Sequence, residues 1–324
     1  MSLLERYAVE CSEDPVGGNI YTLYDRTGGI RVGVAPERGC IWSSLCLDHP
    51  ILGPVELLYR GGDFTGAQRD RGMSPVLFPI VGRLRRGKEE GIYVCDGERY
   101  EMDIHGFAKD MGWRAVEADV DDRGVFVRAY LCDTMETRRA YPFAFEYTLT
   151  YRLFEGSLYI VVQVKSKGPF SVGFHPYFRI PFIPGRGTKA DCALRIPARK
   201  YWVLRDLVPT GEVWELSDQY DRPEGIECAG LDLDQVYTDL IVGEGGIHCS
   251  SVWDRASGIR VDVETTSQPF SEIVVYAPLD KPYVCIENWT DPPNILNCDD
   301  TWSCPRPSAL KGSIRITPSL FEAE

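Results

Sequence analysis

Histidine is scarce in this 324-residue chain, at only four copies, and so is net positive charge, since 35 Lys and Arg stand against 48 Asp and Glu. The resulting formal charge of -13 repels phosphate backbones and anionic lipid, which argues against nucleic-acid and membrane-surface partners. Long apolar runs are missing as well. No stretch approaches the ~20 consecutive apolar residues of a membrane helix. The opening residues Met1-Ser2-Leu3-Leu4-Glu5-Arg6 carry no apolar core behind a basic flank, so no secretory signal is expected and the cytoplasm is the expected setting. The cysteines number 11, an odd count, and no pair has the two-residue gap of a zinc knuckle or redox motif. Reduced, buried thiols are therefore expected, with neither a metal nor another cofactor. The Asn288-Trp289-Thr290 glycosylation pattern carries little weight without secretion. No lysine-bearing phosphate loop, dinucleotide fingerprint, Gly-x-Ser-x-Gly elbow or His-Glu-x-x-His helix occurs.

A sustained 3.6-residue apolar period is absent too, so helices should be few and short. A period of two is present instead. Phe143, Phe145, Tyr147, Leu149, Tyr151 and Leu153 alternate over a full strand length, and Gly156-Ser157 separates them from a second strand at 158–164. Further strands are expected at 125–131, 30–34, 259–263, 273–276 and 314–316, and Asp96-Gly97 marks a hairpin turn after 92–94. The 22 prolines and 31 glycines are spread along the chain and supply turns. The longest loops are expected at 61–72, 181–189 and 211–227. With 44% hydrophobic residues and no composition break, the chain reads as all-β, one large antiparallel sandwich spanning residues 1–324.

Five polar residues stand out against this background. Two of the histidines lie in Ile104-His105-Gly106-Phe107-Ala108 and Gly173-Phe174-His175-Pro176-Tyr177-Phe178. Taken alone, His105 reads as a satisfied structural group, while His175, stiffened by Pro176 and flanked by aromatics, reads equally as structural or catalytic. Glu287, in Cys285-Ile286-Glu287-Asn288-Trp289-Thr290, follows an apolar strand. Burial there would make it a better base at neutral pH; the alternative is a structural carboxylate bonding amides of the 291–294 turn. Arg83 closes the apolar run 74–84. It is either held partly buried, where its donors meet hydroxyl oxygens, or solvated with Arg85 and Arg86. Asp234 precedes a strand and by itself reads as a turn residue. His49 and His248 read as structural or surface groups.

In order along the chain, Leu77-Phe78-Pro79-Ile80-Val81-Gly82-Arg83-Leu84, His105-Gly106-Phe107-Ala108 with Trp113, 173–178, 234–237 and Glu287-Asn288-Trp289-Thr290 through Pro293-Asn294 resemble the aldose 1-epimerase (mutarotase) family. The resemblance implies a β-supersandwich of the galactose mutarotase type and a sugar as the small-molecule partner. It implies that Glu287 is the general base, that His175 is the general acid and that His105 assists at the ring oxygen. Arg83 and Asp234 would hold sugar hydroxyls, and Tyr276 would be an aromatic platform. It implies no metal and no nucleotide. The chain departs from the pattern at Asn288 and Asp291, where proline and glycine are more usual, and at Lys109, where arginine is common. Two other functions fit the same residues. One is a hexose-phosphate mutarotase, which would require Arg85, Arg86, Arg179 or Arg186 to reach the cleft. The other is a non-catalytic carbohydrate-binding module, for which an acid–base set would be superfluous.

Overall fold

The computed structural model describes residues 2–14, 18–61, 72–266, 268–297 and 308–322. Most of the expected loop 61–72 lies outside them. The described chain is antiparallel β-structure with two four-residue α-helices, Leu3–Arg6 and Thr137–Ala140. Neither is long and apolar enough to cross a membrane.

The alternation between 143 and 153 becomes the strand Phe145–Phe154, with Phe145, Tyr147, Leu149, Tyr151 and Leu153 all buried. Phe143 stays outside it. The hairpin to Ser157–Ser166 turns one residue earlier than the glycine-serine pair implied, at Glu155 and Gly156, which both take positive φ. Two successive left-handed residues match the twist of a hairpin, as they do at Asp96 and Gly97 between Ile92–Cys95 and Glu98–Glu101. Phe145–Phe154 and Ser157–Ser166 belong to a nine-stranded sheet whose centre runs Gly124–Cys132, Phe145–Phe154, Ser157–Ser166, Ala309–Leu320, Ile259–Thr266 and Ile247–Asp254, while Ile92–Cys95 and Glu98–Glu101 form a two-stranded sheet of their own. A five-stranded sheet precedes it, from Tyr7–Glu13 to Gly53–Glu56.

The sheet that positions the site is eight-stranded. Its path runs Val208–Glu215, Ala198–Arg205, Leu233–Leu240, Glu272–Ala277, Tyr283–Trp289, Gly173–Phe174 and Val76–Leu77, and Tyr177–Arg179 also pairs with Tyr283–Trp289. One face of this sheet supplies Tyr237, Ile273, Val275, Val284 and Ile286 to the same buried cluster as Tyr147, Leu149, Val162, Val263 and Ile314 of the nine-stranded sheet. Burial of that shared face holds the two sheets together and fixes their register, because a slip of one residue would turn the apolar set outward. The expected loop at 211–227 is only partly a loop. Its first five residues are the end of Val208–Glu215, an edge strand of mostly exposed residues that pairs with Ala198–Arg205. Its polar composition reflects that exposure, which is why periodicity did not mark it. Among the described cysteines none is paired, but only Cys40, Cys192, Cys228 and Cys285 are buried, fewer than expected.

Candidate active site

Period two and register together build a polar face on the other side of the eight-stranded sheet. On Tyr283–Trp289 the alternate residues are Tyr283, Cys285, Glu287 and Trp289. Across the ladder Cys285 faces Tyr276, Glu287 faces Val274 and Trp289 faces Glu272. One strand further, Tyr276 faces Asp234 and Val274 faces Val236. On the other side Tyr177 faces Cys285 and Gly173 faces Trp289. A side chain on Gly173 would put its Cβ 2.6 Å from the Trp289 ring, so glycine leaves the room that the indole occupies.

Over this face opens a cleft of about 290 Å³ whose lining includes Arg83, His105, His175, Asp234, Tyr276 and Glu287. All six residues singled out in the sequence thus meet in one place. His175 Nε2 lies 3.3 Å from Glu287 Oε1. The indole Nε1 of Trp289 donates to Glu287 Oε2 at 3.1 Å. Glu287 therefore does not cap the 291–294 turn; that turn is held by Asn294, whose Oδ1 accepts from the Arg85 amide at 2.8 Å. The His175 ring stacks on Tyr177 at 4.5 Å with the planes 2° apart. Its Nδ1 is buried with no partner among the described residues. The Tyr276 ring stands edge-on to His175 at 6.4 Å.

His105 arrives from a loop. It and Gly106 both take positive φ, and a Cβ on Gly106 would lie 2.3 Å from the carbonyl oxygen of Phe78. The loop docks against the segment ending in Arg83 through a reciprocal pair. The His105 amide donates to the Gly82 carbonyl at 2.8 Å, and the Gly82 amide donates to His105 Nδ1 at 3.1 Å. With Nδ1 accepting, a neutral His105 carries its proton on Nε2. Its ring centroid is 5.3 Å from that of His175 and 5.8 Å from that of Trp289.

Burial governs the charge states. It holds the Glu287 carboxyl well above the usual carboxylate range, helped by the charge of Asp234 and opposed by the Trp289 hydrogen bond. Burial pushes His175 down to about 3. Packing around His105, together with His175, Lys109 and Arg83, keeps that ring neutral as well. Asp234, at the cleft mouth, is raised by partial loss of water and held back by Arg83. Both directions favour the neutral pair, with its proton on Glu287. The charged alternative, a carboxylate beside an imidazolium, has the same proton count and is reached by one transfer across 3.3 Å.

Some lining residues carried no signal of their own. Leu204 and Leu207, from the hairpin between Ala198–Arg205 and Val208–Glu215, form an apolar wall, and Tyr283 also lines the cleft. An apolar rim and a core residue look alike in a sequence. Tyr283 could have been found by counting back in twos from Glu287. Lys109 also lines the cleft, with its ammonium 2.8 Å from Asp110. Arg85, expected to be solvated, is half-buried and ion-paired to Asp206 at 3.0 Å. Arg86 is exposed. Asn288 faces the core with Ile286, away from the cleft, and Asp291 accepts from the Thr290 hydroxyl at 2.6 Å. His248 is buried against the Thr265 hydroxyl, and His49 accepts the amides of Ile51 and Leu52, so both are structural.

The family model for aldose 1-epimerases matches residues 25–311. No curated protein matches the chain. Among solved structures, a galactose mutarotase-like protein from Clostridium acetobutylicum superposes with a TM-score of 0.81 at 20% identity, over 98% of this chain and 100% of its own. A galactose 1-epimerase from Lactobacillus acidophilus NCFM gives 0.73 at 17% identity, over 98% and 99%. A protein from Synechocystis sp. PCC 6803 gives 0.73 at 24% identity, over 97% and 99%. At these identities the likeness is one of fold, and the fold is that of the galactose mutarotase-like sandwiches.

Proposed function

This chain belongs to the aldose 1-epimerase family, and we propose that it interconverts the α and β anomers of a free aldose by opening and reclosing the sugar ring. The observation that carries the reading is the buried His175–Glu287 pair, 3.3 Å apart on the floor of an open cleft. With a sugar bound, the pair works in its charged form. Glu287 takes the proton from the hydroxyl on C1 while His175 donates to the ring oxygen, and the bond between C1 and the ring oxygen breaks. The aldehyde turns about its bond to C2. Reclosure on the other face reverses both transfers, so the pair ends with the proton count it began with. His105, a donor through Nε2, assists at the ring oxygen. Arg83 and Asp234 hold hydroxyls, and Tyr276 offers a flat face to the sugar. Neither step needs a metal or a nucleotide. Each positioned acid or base contributes about 10²–10⁴-fold, which suits a reaction that already proceeds unaided in water.

A free sugar is favoured over a sugar phosphate by where the arginines lie. Arg85, Arg86, Arg179 and Arg186 do not line the cleft. Arg179 packs over the Tyr59 ring, and Arg186 donates to the Ala256 carbonyl. A phosphate would meet Arg83 and Lys109 in a protein of net charge -13. The reading also carries a cytoplasmic setting, in keeping with the unpaired thiols among the described residues. Polarimetry on glucose, galactose and their 6-phosphates tests the assignment. Faster equilibration of the free sugars is expected. A tenfold preference for the phosphates, worth about 1.4 kcal/mol of transition-state binding, would reverse the substrate assignment. No catalysis on any aldose would leave a carbohydrate-binding module.

A further inference from the structure

Glu287 and His175 lie close to a buried sulfur that does not itself line the cleft. A ring nitrogen of His175, Cys285 Sγ and a carboxylate oxygen of Glu287 all lie within 4.8 Å of one another, and all three residues are buried. The arrangement follows from the ladder. Cys285 and Glu287 are alternate residues of one strand, and Tyr177, two residues after His175, pairs with Cys285. Imidazole, thiolate and carboxylate are the donors that zinc takes. We propose that His175, Cys285 and Glu287 form an inhibitory zinc site, with the fourth position of the metal open to the cleft.

The geometry is close to what zinc requires. Tetrahedral zinc with ordinary bonds sets its nitrogen and oxygen ligands roughly 3.3 Å apart and its sulfur roughly 3.6 Å from either. The His175 Nε2 to Glu287 Oε1 separation is already 3.3 Å, so the sulfur, within 4.8 Å of both residues' ligand atoms, has to close by about 1.2 Å at most to complete the set. On the histidine side Nε2 has one long contact, 3.4 Å to the Tyr177 hydroxyl, which the metal would replace, while Nδ1 is unpartnered among the described residues and the ring stacks on Tyr177. The sulfur sits in a nest of tyrosines, Tyr177 and Tyr283 with Tyr59 and Tyr276 packed around them. An ion entering from the cleft therefore meets His175 and Glu287 before the thiol. On binding, the thiol and the Glu287 carboxyl each release a proton to solvent, and His175 binds through its neutral lone pair. A thiolate in the set selects zinc over magnesium and calcium, which prefer oxygen alone. Occupation removes the acid and the base together, so the metal blocks turnover instead of supporting it. Only this last consequence rests on the proposed function; the coordination stands apart from it.

The test uses the full chain with Zn²⁺ or Co²⁺ alone. Co²⁺ should give the near-ultraviolet absorption of a cobalt–thiolate bond, and Zn²⁺ should displace it. Zn²⁺ should also inhibit anomer interconversion, with recovery on adding EDTA. In Cys285→Ala the band should vanish and the Zn²⁺ concentration for half-inhibition should rise at least tenfold, while metal-free turnover stays within about threefold of the parent. Cys285→Ser, nearly isosteric and a far weaker ligand, serves if the alanine variant melts early. A missing cobalt band, or the same zinc sensitivity in parent and variants, would overturn the site while leaving the mutarotase reading intact. A cobalt band in a protein that turns over no aldose would support the site and sink only the catalytic reading.

Discussion

The Nε2 of His175 lies 3.3 Å from Oε1 of Glu287, and both residues are buried. At that distance one proton serves both groups. Glu287→Gln keeps the shape and the hydrogen bond from Trp289 but cannot accept a proton. We expect it to lose about 10²-fold or more of turnover, and His175→Asn to lose a comparable amount. Polarimetric equilibration rates, read beside a thermal melt, check this. A folded Glu287→Gln protein with near-parental rates would remove the mechanism.

The same pair sets the pH dependence. Its working form holds one proton. That proton is lost as pH rises through the raised Glu287 value, and a second is gained only as pH falls through about 3 at His175. Turnover should hold on the acid side down toward about 3 and decline on the alkaline side as Glu287 loses its proton. The Asp234 charge raises Glu287 and the Trp289 hydrogen bond lowers it. Asp234→Asn should therefore move the alkaline limb of kcat/KM to lower pH, and Trp289→Phe should move it to higher pH. Shifts in the same direction would contradict this account of the electrostatics.

A second buried acid should govern stability. Glu272 accepts from Trp202 Nε1 at 3.0 Å and from the Thr238 hydroxyl at 3.2 Å, yet burial pushes its carboxyl up to about 8. A carboxyl raised on folding binds its proton more tightly in the native state. Its contribution is complete below the unfolded value and is lost as pH rises through about 8. Between pH 5 and 9 the parent should lose melting temperature, and Glu272→Gln should flatten that slope. Parallel slopes in the two proteins would count against a protonated Glu272.

Gly106→Ala should be costly out of proportion to one methyl group. Its Cβ would sit 2.3 Å from the Phe78 carbonyl oxygen, at a φ of +71°. The backbone conformation alone costs about 1–3 kcal/mol, and the clash adds to it. The denaturation midpoint should fall, and kcat with it, since His105 hangs from the same loop. A shift under about 0.5 kcal/mol would mean that the loop can move aside.

Much of this protein is set by local sequence. Alternation from Phe145 to Leu153 decides which face of that strand is apolar, and Asp96-Gly97 closes its hairpin without outside help. Pairs such as Glu287 with Trp289 share a face because side chains in a strand repeat every two residues. The motifs around Arg83, His105, His175, Asp234 and Glu287 were likewise legible, and all of them line one cleft. What the chain could not declare locally was register and burial. Whether Cys285 lies beside His175, whether Leu204 and Leu207 wall a cleft or fill a core, and whether Glu272 is a turn residue or a buried acid all depend on strands far apart in sequence. The proton affinities of Glu287 and His175 follow the same rule. Loss of water sets them, and water is excluded only when the sheet, the His105 loop and the rim hairpin close around the same space.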